Sequence, residues 1–280
     1  MMRSILTIAH LTLYEARRRR IVLAAILCGA AFLAIFSTAL FLAYGELARG
    51  DGPSSFIERQ VLLAGLTLAG LYAAGFLSAL LAVLLPVDTL SGEIDSGVMQ
   101  TLASKPIRRG DIILGKWIGH AVIVGTYLIL LTGGVLAGSR WVAGAVLVNL
   151  PEAMALMLLE VLLLLTISIA GGTRLSTVTN GVMALGFYGI AFVGGFVEQV
   201  GSLGGMQSAK AVGILASLLS PTDVLWRLAA YRLQPEVVRN VGSQIFSGGA
   251  VPSSLMVWWA LGFGVLTLAW AVRSFERRAL

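Results

Sequence analysis

Side chains able to do covalent or metal chemistry are few in this chain, and they are scattered. Its two histidines, His10 and His120, lie far apart in sequence and in expected depth, and Cys28 is its single cysteine. Neither a disulfide nor a cysteine-rich metal site can form within one copy. No Ser/His/Asp set, zinc-ligand spacing or close carboxylate pair stands out, which argues against a membrane-embedded enzyme. One stretch imitates a nucleotide site, since Gly110-Asp-Ile-Ile-Leu-Gly115-Lys116 satisfies G-x-x-x-x-G-K. Position 117 is Trp, so the hydroxyl that would ligate Mg²⁺ is missing, and no strand precedes the motif. Glu160 is a different kind of candidate, an acid near the centre of a long apolar run. An unpaired charge there costs roughly 2.5 to 3.5 kcal/mol. It either serves a pathway or is a structural carboxyl hydrogen-bonded to Tyr127, Thr126 or Thr132 of a neighbouring helix. Met154, Met157 and Glu160 recur at a spacing that could line a soft-metal path with thioethers, although methionine is also an ordinary packing residue.

The elements that position these groups are membrane helices. The chain is 58% hydrophobic and 12% charged, with a mean hydropathy of +0.90, too little polar surface for a soluble domain of 280 residues. Apolar runs near 21–44, 61–85, 117–138, 150–170, 178–198 and 254–273 are each long enough for a hydrocarbon core that needs roughly 20 residues. They show no period-2 alternation, so they read as helices and the fold as an all-α polytopic membrane protein with six transmembrane helices. Basic residues beside spans stay cytoplasmic. With both termini inside, Arg3, Arg17 to Arg20, Lys105, Arg108, Arg109, Lys116, Arg174, Arg273, Arg277 and Arg278 are all cytoplasmic, 13 of the 20 basic residues. The net charge of +6 is then a topology signal toward anionic lipid and calls for no nucleic-acid partner. The apolar run after Arg20 is too long for a cleaved signal and reads as a retained anchor. Before it, Ile5, Ile8, Ala9, Thr12 and Leu13 fall at helical spacing, which predicts an amphipathic interfacial helix over residues 1–20.

A polar, glycine-punctuated island at 86–116 separates the second and third spans. Pro86 is expected to end the second helix. Beyond Ser91, Ile94, Val98 and Leu102 line one face while Glu93, Asp95 and Gln100 line the other, which suggests a short helix that needs a partner surface. Lys105-Pro106 stops it, and Arg108-Arg109-Gly110-Asp111 begins the helix into the third span.

The run Ser91-Gly92-Glu93-Ile94-Asp95-Ser96-Gly97, then Gln100-Thr101-Leu102, Ser104-Lys105-Pro106, Arg108-Arg109 and Leu114-Gly115-Lys116, resembles the cytoplasmic signature of ABC-2-type transporter permeases. The branch that includes the nitrous-oxide-reductase maturation permease is particularly similar. The resemblance implies a cytoplasmic coupling helix in which Gly92, Glu93, Ile94, Asp95, Ser96, Gly97, Gln100, Thr101 and Leu102 dock on a separate ABC ATPase. That subunit would carry ATP and Mg, this chain would bind no cofactor, and the permease would be a homodimer in the cell membrane. Within it, Glu160, Met157, Met154 and Tyr127 are the candidate pathway residues. An ATP-independent secondary carrier or channel using Glu160 is the competing reading.

Two further segments carry structural signals. Asn149-Leu-Pro-Glu152 reads as a capping box opening the fourth span, and Ser220-Pro-Thr-Asp223 as another. The latter opens an amphipathic stretch to Leu233 with Val224, Leu225, Leu228 and Ala229 on one face, so the outer loop 199–253 is expected to hold short interfacial or re-entrant helices. Gly115 to Gly119 and Gly134 to Gly138 have the spacing at which helices approach closely, within the chain or between copies.

Overall fold

In a computed structural model, residues 2–47, 53–95, 97, 108–143, 148–234 and 253–278 are described, and every regular element among them is an α-helix. In chain order these are α1 (Met2–Ala16), α2 (Arg20–Leu47), α3 (Pro53–Asp95), α4 (Arg109–Ala143), α5 (Leu150–Gly172), α6 (Thr177–Leu203), α7 (Gln207–Leu219), α8 (Thr222–Leu233) and α9 (Leu255–Glu276). Six of them, α2 to α6 and α9, are long and apolar enough to cross a membrane, matching the six apolar runs. The chain is thus an all-helical multi-pass membrane protein. Helices α2 and α6 begin, and α3, α5 and α9 finish, at the end rich in Arg and Lys, called the basic end below.

The bundle is organised around α5, of whose apolar stretch 72% is buried, against 6% for α2 and 11% for α9. Val161, Leu163, Leu164 and Leu165 of α5 are within the core with Leu81, Val83 and Leu85 of α3 and Val124 and Leu128 of α4. The peripheral helices leave large apolar side chains exposed, as with Ile35 and Phe41 on α2 and Val265 and Leu266 on α9. Such faces suit a solvent of lipid tails.

Pro86 does not end the second span. Helix α3 runs through it to Asp95, 43 residues in all, about 65 Å and roughly twice the hydrocarbon thickness. A proline removes one N–H and crowds the preceding turn, but a bundle can satisfy the carbonyls so freed. Here the carbonyl that loses its N–H is that of Ala82, and the Ser168 hydroxyl of α5 donates at 2.8 Å to the adjacent Val83 carbonyl, while Ser91 donates back to the Val87 carbonyl. The helix is held by its neighbours across the break that the local sequence suggests. What stops it is nearer Gly97, which adopts a left-handed φ of 74°.

The two glycine pairs pack within the chain. A Cβ on Gly115 would come 2.7 Å from Cβ of Ile8, and one on Gly119 equally close to Cβ of Thr12, so α1 lies directly on the α4 backbone. Its buried face, Ile8, Ala9, Thr12 and Ala16, is largely the face expected for the interfacial helix. Gly134 receives Leu33 of α2 in the same way.

Neither predicted capping box forms. Asn149 adopts a left-handed φ of 53° without a side-chain cap, and its amide points to the Arg232 carbonyl at 3.5 Å. Glu152 approaches Arg232, also at 3.5 Å. Asp223 likewise turns to Arg227 and away from the start of its helix. In each case an arginine, remote in sequence for Glu152 and one helical turn on for Asp223, outcompetes the helix-start N–H groups. The stretch 222–233 is also not a surface helix: Trp226, Arg227 and Ala230 are buried beside the expected apolar face. Helices α7 and α8 form a hairpin bent by 105°, with α7 descending along α6 and α8 returning along α5. Such a bend belongs to a broken span or a re-entrant loop, and residues 235–252 lie outside the described residues.

Candidate functional site

The last two turns of α3 carry the first of the predicted docking residues, and the structure ties them to α4, α6 and the α1–α2 junction. The Lys116 ammonium of α4 donates to the Glu93 carboxylate, and both side chains are buried, 6% and 14% exposed. One turn on, the His120 ring bonds the Lys116 carbonyl through Nδ1 at 2.8 Å. A carbonyl only accepts, so that nitrogen carries the proton and Nε2 is left to accept from Thr89, 3.3 Å away. On the other side, Ser91 and Thr177 of α6 share a hydroxyl hydrogen bond of 2.9 Å. Asp88 stands 3.5 Å from the Thr177 hydroxyl and 4.0 Å from Arg19 at the α1–α2 junction. Gly92 makes this possible: a Cβ there would come 2.2 Å from Asp88 Oδ1.

Arg19 also bonds Glu15 at 2.6 Å. Burial pushes the Glu15 carboxyl up, but Arg19, with Lys116 and His120 behind it, leaves it below the usual carboxylate range. The terminus of α3 is therefore one polar knot with α1, α2, α4 and α6. Of the predicted docking set, the helical backbone covers Gly92 to Asp95, and Gly97 follows in its turn. The side chains of Ile94 and Asp95, together with Ser96, Gln100, Thr101 and Leu102, lie outside the described residues. The Glu93 carboxylate pairs with Lys116 of its own chain.

The same pairing disposes of the nucleotide-site lookalike. Gly110 to Lys116 lie inside α4, the Lys116 ammonium is committed to Glu93, and Gly110 packs against Val272 and Glu276 of α9.

Glu160 is buried in α5, but none of its expected partners reaches it. Tyr127 donates to the Ala25 carbonyl of α2 at 2.8 Å, Thr132 to the Leu128 carbonyl of its own helix, and Thr126 is exposed. The groups near Glu160 are instead Tyr72 of α3, Tyr188 of α6 and Asp223 of α8. Met157 is core, packed against Gly75 of α3, and Met154 is half-buried. The proposed quartet therefore does not converge, because Tyr127 faces α2.

A second polar cluster had escaped sequence reading. Buried Arg227 donates to Glu198 of α6 at 2.8 Å and approaches Ser217 of α7 at 3.4 Å. Its Nε is 2.8 Å from Asp223 Oδ2, yet off the hydrogen-bonding line, so neither atom is satisfied by the other. The cluster pins the hairpin to α6. The signal available in the sequence is Asp223 and Arg227 one helical turn apart.

Comparison with known proteins supplies the context for both clusters. The family described as ABC-2 family transporter protein matches residues 6–280. The chain is 36% identical over 112 residues to a protein of Pseudomonas aeruginosa named probable ABC transporter permease protein NosY, covering 40% of this chain and 37% of that one. It is 43% identical over 51 residues to the protein of the same name from Stutzerimonas stutzeri, 18% of each. The matches thus span well under half the length of these relatives. The family match runs through every transmembrane helix and both polar clusters, and on that ground the chain belongs to the ABC-2 family of transporter proteins.

Proposed function

We propose that this chain is the permease of an ATP-driven exporter, working as a homodimer with two copies of a separate ABC ATPase in the cell membrane. Its basic end and both termini face the cytoplasm. ATP and Mg²⁺ belong to the ATPase, and this chain binds no cofactor and catalyses no covalent step. The segment from Gly92 to Leu102 docks on the ATPase, and closure of the ATPase dimer displaces it. The observation that carries this reading, beside family membership, is the polar knot at the end of α3. A push delivered there acts at once on α4 through Glu93–Lys116, on α6 through Ser91–Thr177 and on the α1–α2 junction through Asp88–Arg19. Helices so linked move as packed elements between discrete arrangements. Glu93 acts in this scheme as an anchor of the docking segment.

The same device could export a solute or transmit force to a partner across the membrane. The carrier reading keeps one supporting observation, the buried carboxyl of Glu160. Co-expression with the ATP-binding subunit encoded nearest to it tests the proposal. The two should co-purify, and Leu102→Asp should abolish co-purification while the permease still inserts and runs as a single species. No association with the intact chain, combined with transport lost in Glu160→Gln alone, would establish the carrier instead.

A further inference from the structure

The second polar cluster borders a cavity of about 190 Å³ between α3, α6 and α8, several times the roughly 30 Å³ share of a water molecule. Four of its walls are aromatic: Tyr72, Phe192, Phe196 and Trp226. Tyr72 and Trp226 meet edge-on, with centroids 5.2 Å apart at 61°, so one of the two rings keeps its faces uncovered by the other. Among the described residues the cation–π contact is Arg18 over Tyr14, so Arg227 does not occupy these rings.

The polar cluster is acidic on balance. The lining itself holds Asp223 and Arg227, and Glu198, behind the wall, takes the other side of the same guanidinium, so the cluster as a whole sets two carboxylates against one cation. Asp223 Oδ2 lacks an aligned donor, and it can stand against the α6 backbone only because residue 195 is glycine, where a Cβ would lie 1.8 Å away. The carboxylate stands against Gly195, eight residues in from Leu203 and about 12 Å from that end of α6, where a carboxylate oxygen without an aligned donor is costly.

Electron-rich ring faces beside a carboxylate oxygen without an aligned donor, in a cluster of two acids on one guanidinium, favour a large, weakly hydrated cation. A hard metal ion would need several converging oxygen or nitrogen ligands, and among the described residues no three His, Cys, Asp or Glu side chains converge. We propose that this cavity binds the head of an organic monocation of the quaternary ammonium class, with the rings around the alkyl groups and Asp223 as counter-charge. As a substrate class, this rests on the reading of the chain as a permease.

Choline, and its uncharged isostere 3,3-dimethylbutanol, provide the probes. Equilibrium binding to the full-length permease in dodecyl maltoside, a detergent without charge, should favour choline by at least ten-fold. Asp223→Asn should erase that preference. Because the exchange also touches Arg227, the paired variant Phe192→Leu/Phe196→Leu, at rings already 48% and 61% exposed, provides an independent arm. It keeps apolar bulk and should weaken choline binding about ten-fold without altering the melting temperature. Equal affinity for the two probes, or unchanged choline affinity in the folded Phe192→Leu/Phe196→Leu variant, would overturn the assignment. Binding is read without the ATPase, so absent choline selectivity with an intact ATPase complex removes this site alone. Selective binding without any ATPase complex supports the site and removes the permease reading.

Discussion

Glu93 and Lys116 show how one contact changes the meaning of a residue. An acid in a polar segment between two spans looks available to a partner, yet burial beside Lys116 commits it to its own chain. Removing one member of a buried pair strands the other charge, at a cost of roughly 3 to 5 kcal/mol. Glu93→Gln should therefore lower the melting temperature of the solubilised permease. The exchanged pair Glu93→Lys with Lys116→Glu should recover most of it and also restore stimulation of the ATPase. Recovered stability without recovered stimulation would show that Glu93 touches the ATPase directly. Glu160 makes the complementary point: its isolation in an apolar run was legible, whereas its neighbours Tyr72, Tyr188 and Asp223 come from three other helices. No spacing within a single helix predicts them.

Among the elements, α1 and α3 illustrate the opposite strengths of local pattern. The buried face of α1 was visible because helical periodicity selects which side chains share a side, and Ile8, Ala9 and Thr12 do face inward. Its seat on Gly115 and Gly119 was not, since small residues invite any helix and do not name one. Gly119→Leu should prise α1 from α4 at a cost of about 1 to 3 kcal/mol, detectable as faster tryptic cleavage at Arg17 to Arg20. Cleavage at the wild-type rate would mean that α1 is not held by this contact. Pro86 shows the reverse. A proline favours a break locally, yet α3 continues past it, with the Ser168 hydroxyl from over 80 residues away bonded to the Val83 carbonyl in the turn before it. In a bilayer, where water cannot satisfy a freed carbonyl, such help decides whether a helix ends.

For the whole molecule, the asymmetry of charge and the arrangement of spans set a testable orientation. In a Cys28→Ser background, cysteine introduced at Ser176, beside the start of α6, should react with a membrane-impermeant maleimide only when the cytoplasmic face is opened. Cysteine at Ser253, before α9, should react from outside intact cells. The opposite pattern would invert the topology and put the proposed docking segment on the wrong side for an ATPase. At this scale the buried α5 hub and the lipid-facing α2 and α9 also explain why length and apolarity found all six spans equally well. Every helix that must satisfy its backbone in hydrocarbon needs about the same run of apolar residues, whether protein or lipid surrounds it.

The amino-acid sequence by itself determined the class, the six spans, the charge asymmetry and the position of the polar segment at 86–116. Each follows from composition and periodicity, which act locally and are imposed by the membrane as solvent. Only the tertiary structure decided that α3 continues through Pro86 to Asp95, that Glu93 pairs with Lys116, that α7 and α8 bend by 105° at the break between them, and that Asp223 and Arg227 line an aromatic cavity. These are partner choices between residues distant in sequence. In a low-dielectric interior a buried charge or an unpaired carbonyl is too costly to leave alone, so packing determines which remote group answers it.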